Sequence, residues 1–559
     1  MVGGFMKVVH KEIRGMHEAA YLLAFFALLS QILGLVRDRM LAGQFGVGTT
    51  LDTYYAAFRI PDFLFVTLAS LFSLYAILPA LAREHENSAR MIEAILLWFF
   101  IITGAGASIA YIFAPMVMPH LVPGFTPQAQ VEAVALARVL LLQPILLGAS
   151  NVLASLTQFR SRFVLYAISP LLYNFGIIFG IMFLYPLWGL AGIGWGVVFG
   201  ALMHMLIQVP HFVGERSREK GKKIEPPLRE IFTLSIPRTF ALAASQITIL
   251  ALVSLASSLE EGSISAFTFS LNLQAVPLAV IGMSYSVAAF PTLSRFMGTG
   301  QKDLFLKHII VALRHIVFWS LPAIVFIVVL RAQIVRVILG VGAFDWDATR
   351  LTAAAVAILV ASLLAQSITY LIARGYYAAG KTERPLIIAL ISVIVSMLSA
   401  FLLLTLFRDV SMFRFFVESL LRVENVRGTP MLMLAVGYSA GALVSAGLGL
   451  WFFAKDFEVS MKPLRGTFMR SFSASIIGGF WSYVTLTTLG SFVDINTFTG
   501  ILTQGLLAGL VGLAGATFIL YVLESPELSE VLDAFRRRFK DKKEVAIEPS
   551  ELSSTSTTQ

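Results

Sequence analysis

The 559-residue chain contains no cysteine. Disulfide bonds, thiolate metal ligands and cysteine nucleophiles are therefore excluded. Charge is scarce too. Asp, Glu, Lys and Arg make up 13% of the residues, against about 25% in a soluble domain. There is no nucleotide loop of the G-x-x-x-x-G-K type, so nothing points to ATP-driven work. No cluster of side chains has metal-ligand spacing. The acidic pair in "FDWD", Asp345 and Asp347, reads as a solvated helix start. These absences leave little room for an enzyme, and no cofactor is expected.

What the chain has in abundance is long apolar runs. It is 57% hydrophobic, with a mean hydropathy of +0.81. Runs near 20 residues recur about 14 times, each long enough to cross a bilayer. The expected fold is an all-α polytopic membrane protein with about 14 transmembrane helices. The first run has no small-residue cleavage site and reads as a retained span. Basic residues cluster at alternate turns, as in "QFRSRF", "GERSREKGKKIEPPLRE" and "RGYYAAGKTERP". The opposite turns "YPLWG", "LEEGS" and "GSFVDINTFTG" have none. The Lys/Arg bias places both termini in the cytoplasm. Two outside segments break the rule: "RAQIVRVILGVGAFDWDATR" and "RDVSMFRFFVESLLRVENVRG".

The chain also repeats itself. "TQFRSRFVLYAISPLLYN" resembles "YAAGKTERPLIIALISVI", and "GLAGIGWGVVFGALM" resembles "MLAVGYSAGALVSAG". Phe163 aligns with Pro385, and Gly194 with Gly437. The two offsets differ by about 21 residues, which marks 409–430 as an insertion in the second half. Two similar halves imply a pseudo-symmetric transporter with a site between lobes. The organisation reads as a cytoplasmic segment 1–18, an N-lobe 19–212, a basic linker 213–226 and a C-lobe 227–454. Two further helices occupy 455–523, and an amphipathic basic helix and disordered tail occupy 524–559. In the insertion, Met412, Phe413, Phe416, Val417, Leu420 and Leu421 suit a helix lying on the membrane surface, or an ordered loop.

The informative charges lie in the first two spans. On a wheel of about 100° per residue, Ser30, Gln31, Gly34, Arg37 and Asp38 share one face, and Arg39 falls away from it. Arg39 is expected to snorkel or meet headgroups. In the second span Asp52, Ala56, Arg59, Thr67 and Ser70 share a face, with Asp62 at its edge and Pro61 a bend. Ionisable residues within a membrane point to a cavity or pathway. Arg37, Asp38, Asp52 and Arg59 are the leading candidates; Arg238 and Arg374 are secondary ones, each with snorkelling as the alternative.

The segments "GLVRDRMLAGQFGVGTTLDTYYAAFRIPDFL", "LTQFRSRFVLYAISPLLYN", "SIPRTFALAASQITIL", "GVGAFDWDAT" and "ARGYYAAGKTERP" resemble the MurJ (MviN) family of lipid II flippases. That family belongs to the multidrug/oligosaccharidyl-lipid/polysaccharide exporter superfamily. The resemblance implies two lobes, a cationic central cavity, alternating access and a location in the bacterial cytoplasmic membrane. It implies a polyprenyl-pyrophosphate-linked saccharide as cargo, with membrane lipids but no nucleic acid as partners, and a monomer. Arg37, Asp38 and Asp52 match functional positions of the family. Gln31, Phe65, Val66 and Asn272 stand where the family places arginines. Fewer arginines weaken pyrophosphate binding or indicate another headgroup. An O-antigen-type glycan exporter or an ion-coupled drug exporter is the alternative. A membrane potential or a monovalent ion would supply the drive.

Overall fold

The structure, a computed structural model, describes residues 16–533 apart from 73–76, 79, 80, 82, 161, 220–223, 495 and 496. Among the described residues every regular element is a helix. The first half comprises α1 (Met16–Phe45), α2 (Thr49–Phe72), α3 (Ser88–Leu121), α4 (Pro127–Phe159), α5 (Phe163–Trp188) and α6 (Leu190–Arg218). The second half begins with α7 (Leu228–Ser257), α8 (Ser263–Gly298) and α9 (Lys302–Val329). The short α10 (Arg331–Leu339) follows. Then come α11 (Trp346–Ala361) and α12 (Leu363–Ala378), bent by 43° at Ser362. The chain continues through α13 (Glu383–Asp409), α14 (Ser411–Leu421) and α15 (Thr429–Phe457). It closes with α16 (Pro463–Leu489) and α17 (Phe498–Val522). Ten helices are long and apolar enough to cross a membrane, or eleven with the α11–α12 pair, among the described residues.

The two halves repeat one packing scheme. The first helix of each packs on the fifth span, as α1 on α5 and α7 on α13. The fifth packs on the sixth, as α5 on α6 and α13 on α15. Glycine makes these contacts possible, because helices in lipid associate through close backbone approach. A Cβ at Gly200 would lie 2.4 Å from the Tyr173 carbonyl oxygen, and one at Gly196 2.4 Å from the Gly180 Cα. In the second half a Cβ at Gly437 would meet the Ala400 Cβ at 2.6 Å, and Gly441 faces Ser396. The structural equivalents are thus Gly196 with Gly437 and Gly200 with Gly441. This corrects the sequence alignment by two residues, since Gly194 instead faces Leu136 on α4. The offsets are 241 for Gly196 to Gly437 and 220 for Gly180 to Ala400. They still differ by 21, close to the 22 residues of 409–430.

The insertion forms α14. Phe413 and Leu421 pack against the main core, where Val417 is buried. Beyond the halves, α16 packs on α9 and on α17. Ser525 and the helical residues 526–533 then return to α9. Leu528 and Val531 pack near Phe318, Ala474 and Leu520. The Glu527 carboxylate, 1% exposed, accepts from Arg314 at 2.7 Å and from Thr467. His315 contacts Glu530 at 2.9 Å. Burial alone would raise the Glu527 carboxyl. Hydrogen bonds from Thr467, Arg314, its own amide and Ser525 outweigh that and hold it down at about 2. The basic stretch and tail that follow, 534–559, and the segment 1–15 lie outside the described residues.

Candidate functional site

The site builds up from α1 and α2. Arg37 donates through Nε and Nη2 to Asp38 Oδ1, at 3.0 and 2.8 Å. Its Nη1 donates to Asn174 Oδ1 on α5 at 3.1 Å. The Asn174 amide reaches back to Ser30 Oγ at 3.3 Å. The other Asp38 oxygen accepts from Asn272 on α8 at 3.0 Å. Asp38 thus fixes Arg37 from one side and touches the second half from the other. The helical wheel of α1 finds this face, but not Asn174. The only signal for Asn174 is a lone amide in the apolar run "LLYNFGIIF".

On α2 the helix is interrupted at Phe58. Pro61 explains the break, because its ring clashes with the carbonyl four residues back and it donates no hydrogen bond. Arg59 directly follows. Arg59 Nε is buried without a partner. Neither Arg59 nor Asp62, three residues on, makes a side-chain hydrogen bond or a direct ion pair among the described residues, although each lies within reach of the other's charge. A cation and an anion thus share one membrane helix, coupled through their charges without direct contact.

Asp52 departs from the expectation of a shared cavity. It is buried between the halves. Its Oδ2 accepts from the Gly262 amide at 2.8 Å and its Oδ1 from the Ser265 amide at 2.7 Å. It caps the N-terminus of α8, where unpaired amides and the helix dipole favour an anion. It does not position an arginine.

Arg39 is a second correction. Its Nη1 donates to the carbonyls of Val337 at 2.6 Å and Ile338 at 3.1 Å. These carbonyls close the C-terminus of α10, the dipole end that favours a cation. The guanidinium also lies 5.5 Å from the Phe498 ring. Arg39 therefore leaves the lipid and ties the halves together. Between these two charged caps, the Ala343 amide donates to the Gly43 carbonyl at 2.8 Å.

The opposite end of the contact between the halves is joined differently. Ser70 and Thr239 hydroxyls meet at 2.7 Å. Arg83 pairs with Glu230 at 2.6 Å, with side chains 58% and 43% exposed. Exposed pairs contribute about 0–1 kcal/mol, so this ion pair adds little; Ile231 and Phe232 of α7 also pack on the cluster around Phe72.

Of the secondary candidates, Arg374 does not join the site. Arg374 donates to Ser286 Oγ on α8 at 2.7 Å, within the second half. Arg238 is carried by α7, and its side chain lies outside the described residues. Arg138 stacks on Tyr111, 4.6 Å from the ring centroid. Asp345 accepts from the Ala348 amide at 2.8 Å, which makes "FDWD" a helix cap. No group of three or more metal-ligating side chains occurs among the described residues.

Comparison with known proteins follows the same lines. The "Probable lipid II flippase MurJ" of Thermotoga maritima is 29% identical over 366 residues, 64% of this chain and 73% of that protein. The lipid II flippase MurJ of Burkholderia cenocepacia is 24% identical over 407 residues, 68% of this chain and 77% of its own length. A solved structure of the lipid II flippase MurJ in an inward closed conformation superposes with a TM-score of 0.69. It is 21% identical and covers 90% of this chain and 99% of its own. An inward-facing multidrug resistance MATE transporter reaches 0.62 at 15% identity, covering 80% and 99%. These two show a shared fold. The sequence model of the family described as "Lipid II flippase MurJ" matches residues 41–413. That match spans most of the two-half body, from the outer end of α1 into α14, and the chain belongs to the MurJ lipid II flippase family.

Proposed function

We propose that the chain carries a polyprenyl-pyrophosphate-linked saccharide, lipid II, from the inner to the outer leaflet of the bacterial cytoplasmic membrane by alternating access. It acts as a monomer with both termini in the cytoplasm, and it catalyses no covalent chemistry. The observation that carries this reading is the pair of arginines on α1 and α2. Arg37 is held by Asp38 and Asn174, and Arg59, beside the charge of Asp62, keeps its buried Nε unpaired. Guanidinium groups bind phosphates through paired, charge-assisted hydrogen bonds. The headgroup enters between the halves while the polyprenyl tail stays in lipid. Release of the inner Ser70–Thr239 and Arg83–Glu230 contacts admits the headgroup. Release of the Asp52 and Arg39 caps lets it out. An inside-negative potential drives an anion outward by about 2.3 kcal/mol per charge per 100 mV.

A second reading rests on Asn272. A neutral amide faces Asp38 there, and the site carries few cations, which suits a less highly charged lipid-linked glycan. The test is translocation of lipid II in reconstituted vesicles. Arg37→Ala and Arg59→Ala are each expected to lower the rate at least tenfold. Unchanged rates in both variants would refute the assignment of these residues. Full activity on another lipid-linked glycan with none on lipid II would select the second reading.

A further inference from the structure

Helix α14 is two-faced. At about 100° per residue, Phe413, Val417 and Leu421 share one side, and that side packs into the core. The other side presents Met412, Phe415, Phe416 and Leu420 to the surroundings, with Met412 82% and Phe416 60% exposed. This exposure does not come from loose docking. Glu418 is buried and accepts from Arg414 at 2.9 Å and Thr429 at 2.7 Å. Arg350 donates to the Arg422 carbonyl at 2.8 Å, and the Gly428 amide donates to Glu260. Arg422, at φ 60°, ends the helix. The segment is pinned, and its bare apolar face has a fixed direction.

The position of α14 decides what covers that face. The apolar stretch of α13 from Leu386 to Phe407 spans 22 residues, or about 33 Å at 1.5 Å per residue, close to the roughly 30 Å hydrocarbon thickness. Asp409 ends α13 and Ser411 starts α14, so α14 begins at the edge of the hydrocarbon. The bare face also continues the exposed apolar surface of α13 at Leu398, Phe401 and Leu402.

Around α14 lie Arg408, Arg422 and Arg427, all exposed and without a carboxylate partner among the described residues. They sit on the outside, against the usual distribution of positive charge. Phosphate groups of outer-leaflet lipids explain both the arginines and the apolar face.

We propose that α14 is an interfacial helix seated in the outer leaflet. Its face of Met412, Phe415, Phe416 and Leu420 enters the boundary between acyl chains and headgroups, and Arg408, Arg422 and Arg427 bind lipid phosphates. The absence of native cysteine makes a direct test simple. Single nitroxide labels at Met412→Cys, Phe416→Cys and Leu420→Cys are placed in the full chain in vesicles of phosphatidylethanolamine and phosphatidylglycerol. Collision with oxygen and with a water-soluble nickel chelate is then measured. All three labels should favour oxygen, as for sites below the phosphates. A label at Asn425→Cys, on the exposed turn after the helix, should favour nickel. Replacing Arg408, Arg422 and Arg427 together with Gln should remove the preference for phosphatidylglycerol over neutral lipid in the shell around the protein. Nickel-accessible labels on the apolar face would overturn the proposal. So would labels shielded from both agents with dipolar coupling between copies, which would make the face a dimer contact. Shielding without coupling would assign it to another protein and overturn it equally.

Discussion

Replacing Asp52 with Asn should loosen the outer contact while leaving each half intact. Both carboxylate oxygens are in use, one on the Gly262 amide and one on the Ser265 amide. Asparagine supplies one acceptor and turns an NH2 group towards the other amide. A buried donor left unsatisfied costs about 1–3 kcal/mol. Loss of a negative charge at a helix N-terminus costs about 1 kcal/mol more. A total of about 3 kcal/mol changes the ratio of closed to open outer side roughly 100-fold. Spin labels at Gln128→Cys on α4 and Asp347→Cys on α11 report the separation of the halves by pulsed dipolar spectroscopy. Both residues are exposed at outer ends of opposite halves. Asp52→Asn should populate longer distances, and Asp52→Ala should do so more strongly. If both variants keep the parent distribution, Asp52 does not hold the outer side closed and the reasoning fails.

Three further outcomes are expected. Arg39→Gln removes the cation from the C-terminus of α10 and should favour opening by about 1–2 kcal/mol. Its effect should add to that of Asp52→Asn within about 0.5 kcal/mol if one opening motion is read, with the same label pair as the measure. Gly200→Val places a side chain against the Tyr173 carbonyl, and neither backbone can yield. A loss of about 3 kcal/mol or more should appear as low yield and an early thermal transition in detergent. Glu527 contributes stability above the ordinary glutamate value of 4.5, and that contribution is lost as pH falls from 4.5 through about 2. Proteolysis after Leu523 should therefore be slow and unchanged from pH 8 to 5, and rise only below about 4. Glu527→Gln should be cut readily throughout.

The sequence makes some of this legible and hides the rest for physical reasons. Helical periodicity needs only local information, so the face of Ser30, Arg37 and Asp38 is readable. A charge in an apolar run also draws attention by its cost. Arg39 carries the same signal, but its partners Val337 and Ile338 lie about 300 positions away, and no local pattern names them. Without those carbonyls, snorkelling is the natural reading. Asp52 fails in the same way, because its ligands are backbone amides, which have no letter in a sequence. Asn174 carries no charge to mark it, and Asn272 stands out only through the family resemblance. The glycine alignment slips by two residues because "GLAGIGWGVVFG" offers several small residues at similar spacing. The length of the insertion survives that slip, since it depends on a difference of offsets.

The glycine seams carry a wider consequence. With α5 locked to α6 and α13 to α15 at backbone distance, each half resists internal deformation. Motion is then confined to a thin layer where the halves meet. Substitutions inside that layer change which side of the membrane the protein faces, at nearly constant abundance. Substitutions in the seams change how much protein survives, at nearly constant activity per molecule. A survey of variants that measures amount and transport separately should therefore split into two groups. The boundary between them would trace Arg39, Asp38, Asp52, Ser70 and Arg83 along one side of the first half.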